Sequence, residues 1–253
     1  MIQVRELTKF FGSRAVVENV NVNIHRGKIT SFIGPNGAGK STLLSMVSRL
    51  LDADTGEVLL DQQNTKKMKS NEFSKRVSIL KQSNFMNARL TIRELVSFGR
   101  YPHSRGRLNE VDIQFIDQAL EYMGLVDIQH SYLEELSGGQ RQRAFIAMTI
   151  AQDTEYILLD EPLNNLDMKH SVQIMKILRQ LVNDLGKTVV IVLHDINFAS
   201  VYSDRIVALK EGKIVKDGPT DEIINSESLR EIYDMDIPIK QLSNCRICVY
   251  FNS

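Results

Sequence analysis

Cysteine is almost missing from this chain of 253 residues: Cys245 and Cys248 are the only two. That is too few for a disulfide-stapled secreted fold and agrees with a reducing compartment. Their C-x-x-C spacing reads as two ordinary small residues, because the stretch 244–251 has the texture of a strand and lacks the helix N-terminus that lowers a thiol pKa. An excess of charge of either sign is missing too, since 31 Lys and Arg offset 31 Asp and Glu. With no global basic field, nothing argues for a nucleic-acid partner, and any anion site must be local. No uninterrupted apolar run exceeds five residues, Val189 to Leu193 being one, whereas a membrane-crossing helix needs about 20. The opening Met1-Ile-Gln-Val-Arg-Glu-Leu7 lacks the apolar stretch and small-residue cleavage site of a secretory leader, which predicts a chain that stays in the cytoplasm. Internal repeats and Gly/Ser- or Pro-rich linkers are likewise wanting.

What is present is ordinary for a globular protein: 43% apolar and 25% charged residues, in a length that suits one large domain or one domain with an insertion. The first third is rich in β-type residues. From Tyr156 onward strand and helix patterns alternate, which predicts an α/β class. Val189-Val-Ile-Val-Leu193 and Tyr156-Ile-Leu-Leu159 have the continuous apolar texture of strands covered on both faces of a parallel sheet. Between them Val172, Met175, Leu178, Val182 and Leu185 recur at helical spacing, and Gly186 follows as a C′ residue. The middle differs. Thr91-Ile-Arg-Glu94 has the form of a capping box, and Asn109 can cap a helix that carries Val111, Phe115, Ala119 and Met123 and closes at Gly124. These signals predict a core of 1–82 and 154–225, a helical insertion at 83–153 and a short tail at 226–253 that packs without a function of its own. The patch Lys66-Lys67-Met68-Lys69 and the arginines at 100, 105 and 107 read as solvated surface.

Chemistry concentrates in a few motifs. Gly34-Pro35-Asn36-Gly37-Ala38-Gly39-Lys40-Ser41 fits G-x-x-x-x-G-K-[ST], lying after the strand-like Thr30 to Ile33 and before the helix-like Thr42 to Val47. Glycines let the backbone curl so that several N–H groups point at a phosphate, the helix N-terminus adds partial positive charge, and Lys40 neutralises the β/γ oxygens. Ser41 is suited to ligate Mg²⁺. Asp160 and Glu161 end the Tyr156 strand. A carboxylate there can hold the magnesium shell, the role assigned to Asp160, and Glu161 can polarise an attacking water as general base. No Asn-Lys-x-Asp sequence for guanine is found. Leu136-Ser137-Gly138-Gly139-Gln140 opens a helix-like segment with Ser137 as N-cap, Gln140 at N3 and bare N–H groups at the two glycines, a second anion-binding helix start.

Leu-Ser-Gly-Gly-Gln between a P-loop and an Asp-Glu strand resembles the signature of ABC ATPases, and further motifs of that family follow in order. Phe11 matches the aromatic on which adenine stacks, with Phe in place of the more usual Tyr. Gln82 matches the glutamine that contacts Mg²⁺ and links core to insertion, the stretch ending in Asp167 resembles the D-loop, and His194 matches the histidine that reaches the γ-phosphate. The resemblance spans about Ile2 to Gly218. It implies a P-loop, RecA-like α/β core with an N-terminal antiparallel β subdomain and an inserted α-helical subdomain. It further implies ATP and Mg²⁺ as cofactors, with the nucleotide touched by Phe11, by 34–42 including Thr42, by Ser137 to Gln140 and by Asp167. Lys40, Gln82, Glu161 and His194 are the catalytic set, and Ser41, Gln82 and Asp160 hold the metal. The partners implied are a second copy packed head to tail, so that one chain's P-loop and the other's signature share each ATP, and integral membrane permease subunits, with an extracellular substrate-binding protein acting indirectly. The chain would then sit peripherally on the inner face of the cell membrane, docking through the insertion and Gln82, with Phe85, Met86 and Leu90 available as apolar contacts. Ser97 to His103, together with His194 to Ala199 and Tyr202-Ser-Asp204, resembles ATPases of ferric-siderophore, haem and cobalamin importers, and 90–216 looks most like Gram-positive siderophore systems. An exporter ATPase would share every catalytic motif. A non-transport ABC ATPase and a P-loop kinase are the rivals of other classes. One departure stands out: Leu163-Asn164-Asn165-Leu166-Asp167, where many relatives carry Thr-Ser or Ser-Ala before Leu-Asp.

Overall fold

The computed structural model describes residues 1–82, 88–164, 166–243 and 245–251. In chain order the elements are β1 (Ile2–Phe11), β2 (Arg14–Ile24), β3 (Ile29–Ile33), α1 (Lys40–Val47), β4 (Thr55–Leu60), β5 (Gln63–Asn64), α2 (Ser70–Ser74) and β6 (Val77–Leu80). Then come α3 (Ile92–Phe98), α4 (Tyr101–Ser104), α5 (Glu110–Tyr122), α6 (Gly138–Ala151), β7 (Tyr156–Asp160), α7 (Met168–Leu185), β8 (Thr188–Val192) and α8 (Ile196–Tyr202). The chain ends with β9 (Arg205–Lys210), β10 (Lys213–Pro219), α9 (Thr220–Ile223), α10 (Ser226–Tyr233), β11 (Ile239–Leu242) and β12 (Cys245–Cys248). Two compact units result, one of Met1–Met68 with Thr188–Ser253 and the other of Lys69–Lys187.

The first unit joins two kinds of sheet. An antiparallel sheet runs β2-β1-β4-β5. Alternation along β1 is broken by a register shift between Val4 and Leu7, with Glu6 at φ 49°, which returns Leu7 to the buried face. A parallel set pairs β3 with β8 and with β9, and β10 turns back antiparallel on β9. Every residue of β3 and β8 is buried, the burial expected of central parallel strands. The tail forms the β11-β12 hairpin. Cys248 there is fully buried, and burial pushes its thiol up to about 11, so it is an inert small side chain as its strand context implies.

The second unit is mostly helical, with β6 and β7 paired in parallel. Three capping boxes start α3 at Thr91, α5 at Asn109 and α6 at Ser137; the first and third use the expected pairs, and the second adds Asp112 to the expected Asn109 cap. Asp167 caps α7, whose buried face is Ile174, Met175, Leu178, Leu181 and Val182, and Gly186 ends it in the left-handed conformation. One expectation fails here. Arg100 is not solvated surface: it is 3% exposed, its Nε donates to Asp112 Oδ1 at 2.9 Å, and an Nη donates to the Ala151 carbonyl at 2.9 Å. Its guanidinium also lies 4.4 Å over the Phe115 ring. Arg105 and Arg107 are exposed, as are Lys66, Lys67 and Lys69. The α/β class, with an antiparallel N-terminal sheet and a helical region, is the observed one. No helix among the described residues is long and apolar enough to cross a membrane.

Candidate functional site

In the first unit the loop 34–39 leaves β3 and enters α1. Gly34 has φ +133°, and a Cβ there would meet the Leu209 carbonyl oxygen at 2.0 Å; at Gly39, φ +99°, a Cβ would meet the Val16 carbonyl oxygen at 2.5 Å. Only glycine fits either place, since an L side chain would be strained by the dihedral and blocked by backbone. Gly39 caps α1 with no side-chain bond and no acidic residue in the first turn. A helix start without a side-chain cap or a nearby carboxylate suits an anion at its N-terminus. Asn36 and Gly37 form the exposed crest, Pro35, Ser41 and Thr42 are half-buried, and Ala38 and Lys40 are buried. The Lys40 ammonium turns back across its own loop and donates to the carbonyls of Gly34 at 2.8 Å and Pro35 at 2.9 Å. Phe11 ends β1 and is 53% exposed, with the Lys9 ammonium 5.9 Å from its ring centre, so it is a platform on the surface and no core residue. The β3-β8 register pairs Phe32 with Val192, and Leu193 N–H donates to the Phe32 carbonyl at 3.1 Å. His194 thus leaves β8 at the same sheet end at which Gly34 leaves β3.

The second unit assembles the carboxylates. Leu80 pairs with Leu159, so β6 and β7 deliver Gln82 and Glu161 to the same end. Gln82 Nε2 donates to Glu161 Oε2 at 2.5 Å. Asp160 and Glu161 are 7% and 8% exposed. Glu161 adopts φ 49°, a left-handed conformation that costs a non-glycine residue about 1–2 kcal/mol and is tolerated where the surroundings impose it. At the start of α6, Ser137 Oγ accepts the Gln140 N–H at 3.3 Å and Gln140 Oε1 accepts the Ser137 N–H at 2.9 Å. Ser137 and Gly138 are exposed and Gly139 is half-buried, with no acidic residue in the first helical turn, so the two glycines open the helix beside an uncompensated dipole. Asp167 is exposed as well. The His170 N–H, at 2.8 Å from Oδ1, holds its carboxyl below the usual range, with further help from the His170 ring. Asn165, Phe85 and Met86 lie outside the described residues, while Leu90 is half-buried and accepts the Leu133 N–H through its carbonyl at 2.9 Å.

Three residues at these loops escape a reading of motifs. Tyr233, at the end of α10 in the supposedly idle tail, accepts the Gly34 N–H on its hydroxyl at 3.2 Å, and burial pushes that hydroxyl's pKa up. Asn164 Nδ2 donates to Glu161 Oε2 at 2.7 Å. Gln142 Nε2, two residues past the signature, donates to the Pro162 carbonyl at 3.0 Å and ties α6 to the carboxylate loop. Side chains that act by touching a motif carry no motif of their own. The Asn-Asn departure was the one available signal.

The Ser41 hydroxyl in the first unit, and Gln82 and Asp160 in the second, each offer oxygen, a hard donor of the kind that suits Mg²⁺. Among the described residues no group of three or more His, Cys, Asp or Glu comes together in a way that could hold a metal ion.

Comparison with known proteins agrees with this geometry. The profile of a family described as ABC transporter matches residues 17–164. The petrobactin import ATP-binding protein YclP of Bacillus subtilis (strain 168) is 64% identical over 252 residues, 100% of this chain and 100% of that protein. The petrobactin import ATP-binding protein FatE of Bacillus anthracis is 44% identical, covering 99% of this chain and 100% of its own. Among solved structures, the ATP-binding cassette MJ0796, in a dimeric post-hydrolysis state bound to ADP and Pi, superposes with a TM-score of 0.78 at 32% identity, covering 87% of this chain and 99% of that one. The chain belongs to the ABC transporter family and is an ATP-hydrolysing subunit of it.

Proposed function

We propose that the chain powers the import of ferric siderophores of the petrobactin type, as a head-to-tail homodimer on the inner face of the cell membrane that drives separate permease subunits fed by an extracellular substrate-binding protein. The observation that carries the cargo is the full-length identity of 64% to a petrobactin import ATP-binding protein. The core 1–82 with 154–225 would bind nucleotide, and the insertion 83–153 would meet the permease.

In this reading adenine stacks on Phe11, and the phosphates take the backbone N–H groups of 34–39, the Lys40 ammonium and the hydroxyls of Ser41 and Thr42. The partner copy's signature residues and Asp167 close over the γ-phosphate. Ser41, Asp160 and Gln82 would hold Mg²⁺, which when bound would supply neutralisation of phosphate charge. Water attacks the γ-phosphorus as the bond to the β-bridging oxygen breaks, Glu161 takes the water's proton, and His194 steadies the γ-phosphate oxygens. The uncapped start of α1 and the buried Glu161 support this assignment. Loss of the γ-phosphate removes the ligand that joins one copy's loop to the other's signature, and the dimer opens.

The test is uptake of radioactive iron, presented as ferric petrobactin, a ferric hydroxamate, haem or labelled cobalamin, in cells carrying the native chain or Glu161→Gln. Loss of the petrobactin complex alone is expected. Undiminished uptake of every iron complex would overturn the cargo, and a defect in efflux instead would overturn the direction.

A further inference from the structure

The hydrolysis scheme makes no use of the Asn164 departure, yet its side chain reaches the residue on which the scheme turns. Two amides converge on one oxygen of a buried carboxylate: Gln82 Nε2 at 2.5 Å and Asn164 Nδ2 at 2.7 Å, both donating to Glu161 Oε2. They arrive from opposite directions in the sequence, one from the end of β6 and one from three residues further along the loop. The same Asn164 closes the loop through its backbone, its N–H reaching the Glu161 carbonyl at 3.3 Å. Glu161 is held in the left-handed conformation at φ 49° inside this turn, and Gln142 fixes the Pro162 carbonyl from α6.

A glutamate has three side-chain torsions, and a base that must meet a water within hydrogen-bond reach loses rate quickly when misplaced; an error of about 1 Å costs on the order of 100-fold. One donor pins a carboxylate oxygen to an arc. A second donor on the same oxygen, from an independent element, pins it to a point. Length explains the residue type. The amide nitrogen of Asn lies two bonds beyond Cβ, whereas the hydroxyl of Ser or Thr lies one bond beyond it, so the Thr-Ser or Ser-Ala residues common in relatives offer no donor of equal reach at this place.

We propose that Asn164 is a positioning residue for ATP hydrolysis, the second amide clamp on the Glu161 carboxylate. The inference rests on the reading of Glu161 as the general base. Both bonds made by Asn164 go to Glu161, so in this proposal its loss acts on the chemical step and leaves ATP binding alone.

The experiment measures phosphate release by the purified full-length chain as native, Asn164→Ala, Asn164→Asp, Asn164→Gln and Glu161→Gln, with kcat and KM for ATP separated and nucleotide affinity and melting temperature followed in parallel. Asn164→Ala is expected to lower kcat about 10- to 100-fold with KM and ATP affinity within twofold of native. Asn164→Asp, of the same shape but bringing a like charge beside Glu161, falls further, and Asn164→Gln, which keeps an amide, recovers part of the loss. Native kcat in Asn164→Ala, or equal falls in kcat and in ATP affinity, would overturn the clamp. If Ala at 164 unfolds the chain, the isosteric Asp and the amide-bearing Gln decide by the same comparison. Glu161→Gln separates the two claims: if it keeps hydrolysing, the base assignment fails and the clamp with it, and if it is dead while Asn164→Ala is unaffected, the clamp alone fails.

Discussion

The loop that awaits phosphates and the loop that carries the carboxylates are built on opposite principles. In the first unit 34–39 is shaped by backbone: glycines at 34 and 39 sit where a Cβ would strike a carbonyl oxygen, and even Lys40 bonds to main-chain carbonyls. In the second unit 160–164 is shaped by side chains: Gln82, Asn164 and Gln142 hold a glutamate in a conformation it would not choose alone. A backbone-shaped loop tolerates no side chain and reads as a motif. A loop held by side chains tolerates substitution one clamp at a time, and changes rate before it changes binding.

The comparison can be broken most severely at Gly34. Gly34→Ala places a methyl 2.0 Å from the Leu209 carbonyl at φ +133°. It should abolish nucleotide binding and destabilise the first unit by about 3 kcal/mol or more, as titration with a fluorescent ATP analogue and urea unfolding would show. Native-like binding would mean that side chains, not sterics, shape this loop too.

Removing the Arg100 side chain tests the opposite principle at its strongest, in the helical part of the second unit. Arg100→Leu leaves Asp112 buried without its 2.9 Å partner and should cost about 3–5 kcal/mol in chemical denaturation. Burial alone would raise the Asp112 pKa, but the Asn109 N–H and the Arg100 guanidinium outweigh it and hold the carboxyl below its ordinary 3.8. A depressed folded-state value stabilises the fold above the unfolded pKa, so this contribution is present above about pH 4 and is lost as pH falls through 3.8 and below. Unfolding curves at descending pH should show that loss in the native chain and a weaker one in Arg100→Leu.

The smallest change falls on a side chain from the tail that supports the backbone-shaped loop. Tyr233→Phe deprives the Gly34 N–H of its acceptor and should cost about 1–2 kcal/mol, read as a lower urea midpoint, with ATP affinity falling a few-fold. A larger effect would promote the tail to a full structural partner of the phosphate loop.

These contrasts also explain what a sequence reader can see. Thr91 with Glu94, Asn109 with Asp112 and Ser137 with Gln140 are neighbours three residues apart, and the signals are local because capping is local. The P-loop is equally legible, since sterics force its glycines. Arg100 looked like one more surface arginine because the carboxylate, carbonyl and ring that bury it come from α5 and the end of α6. Tyr233 meets Gly34 across 199 positions of chain, and no spacing rule spans that distance. The meeting of Gln82 and Asn164 on Glu161 hides in the same way, although the oddness of Asn164 was visible.

The central claim is that this chain hydrolyses ATP with Glu161 as the base, and the most direct measurement is phosphate release by the purified chain with Mg-ATP, native against Glu161→Gln, with sizing of both at saturating ATP. The account predicts steady release by the native chain, at least a 100-fold loss in the variant, and accumulation of ATP-bound dimer by the variant alone. Equal release from both proteins, or a variant that stays monomeric at saturating ATP, would contradict it.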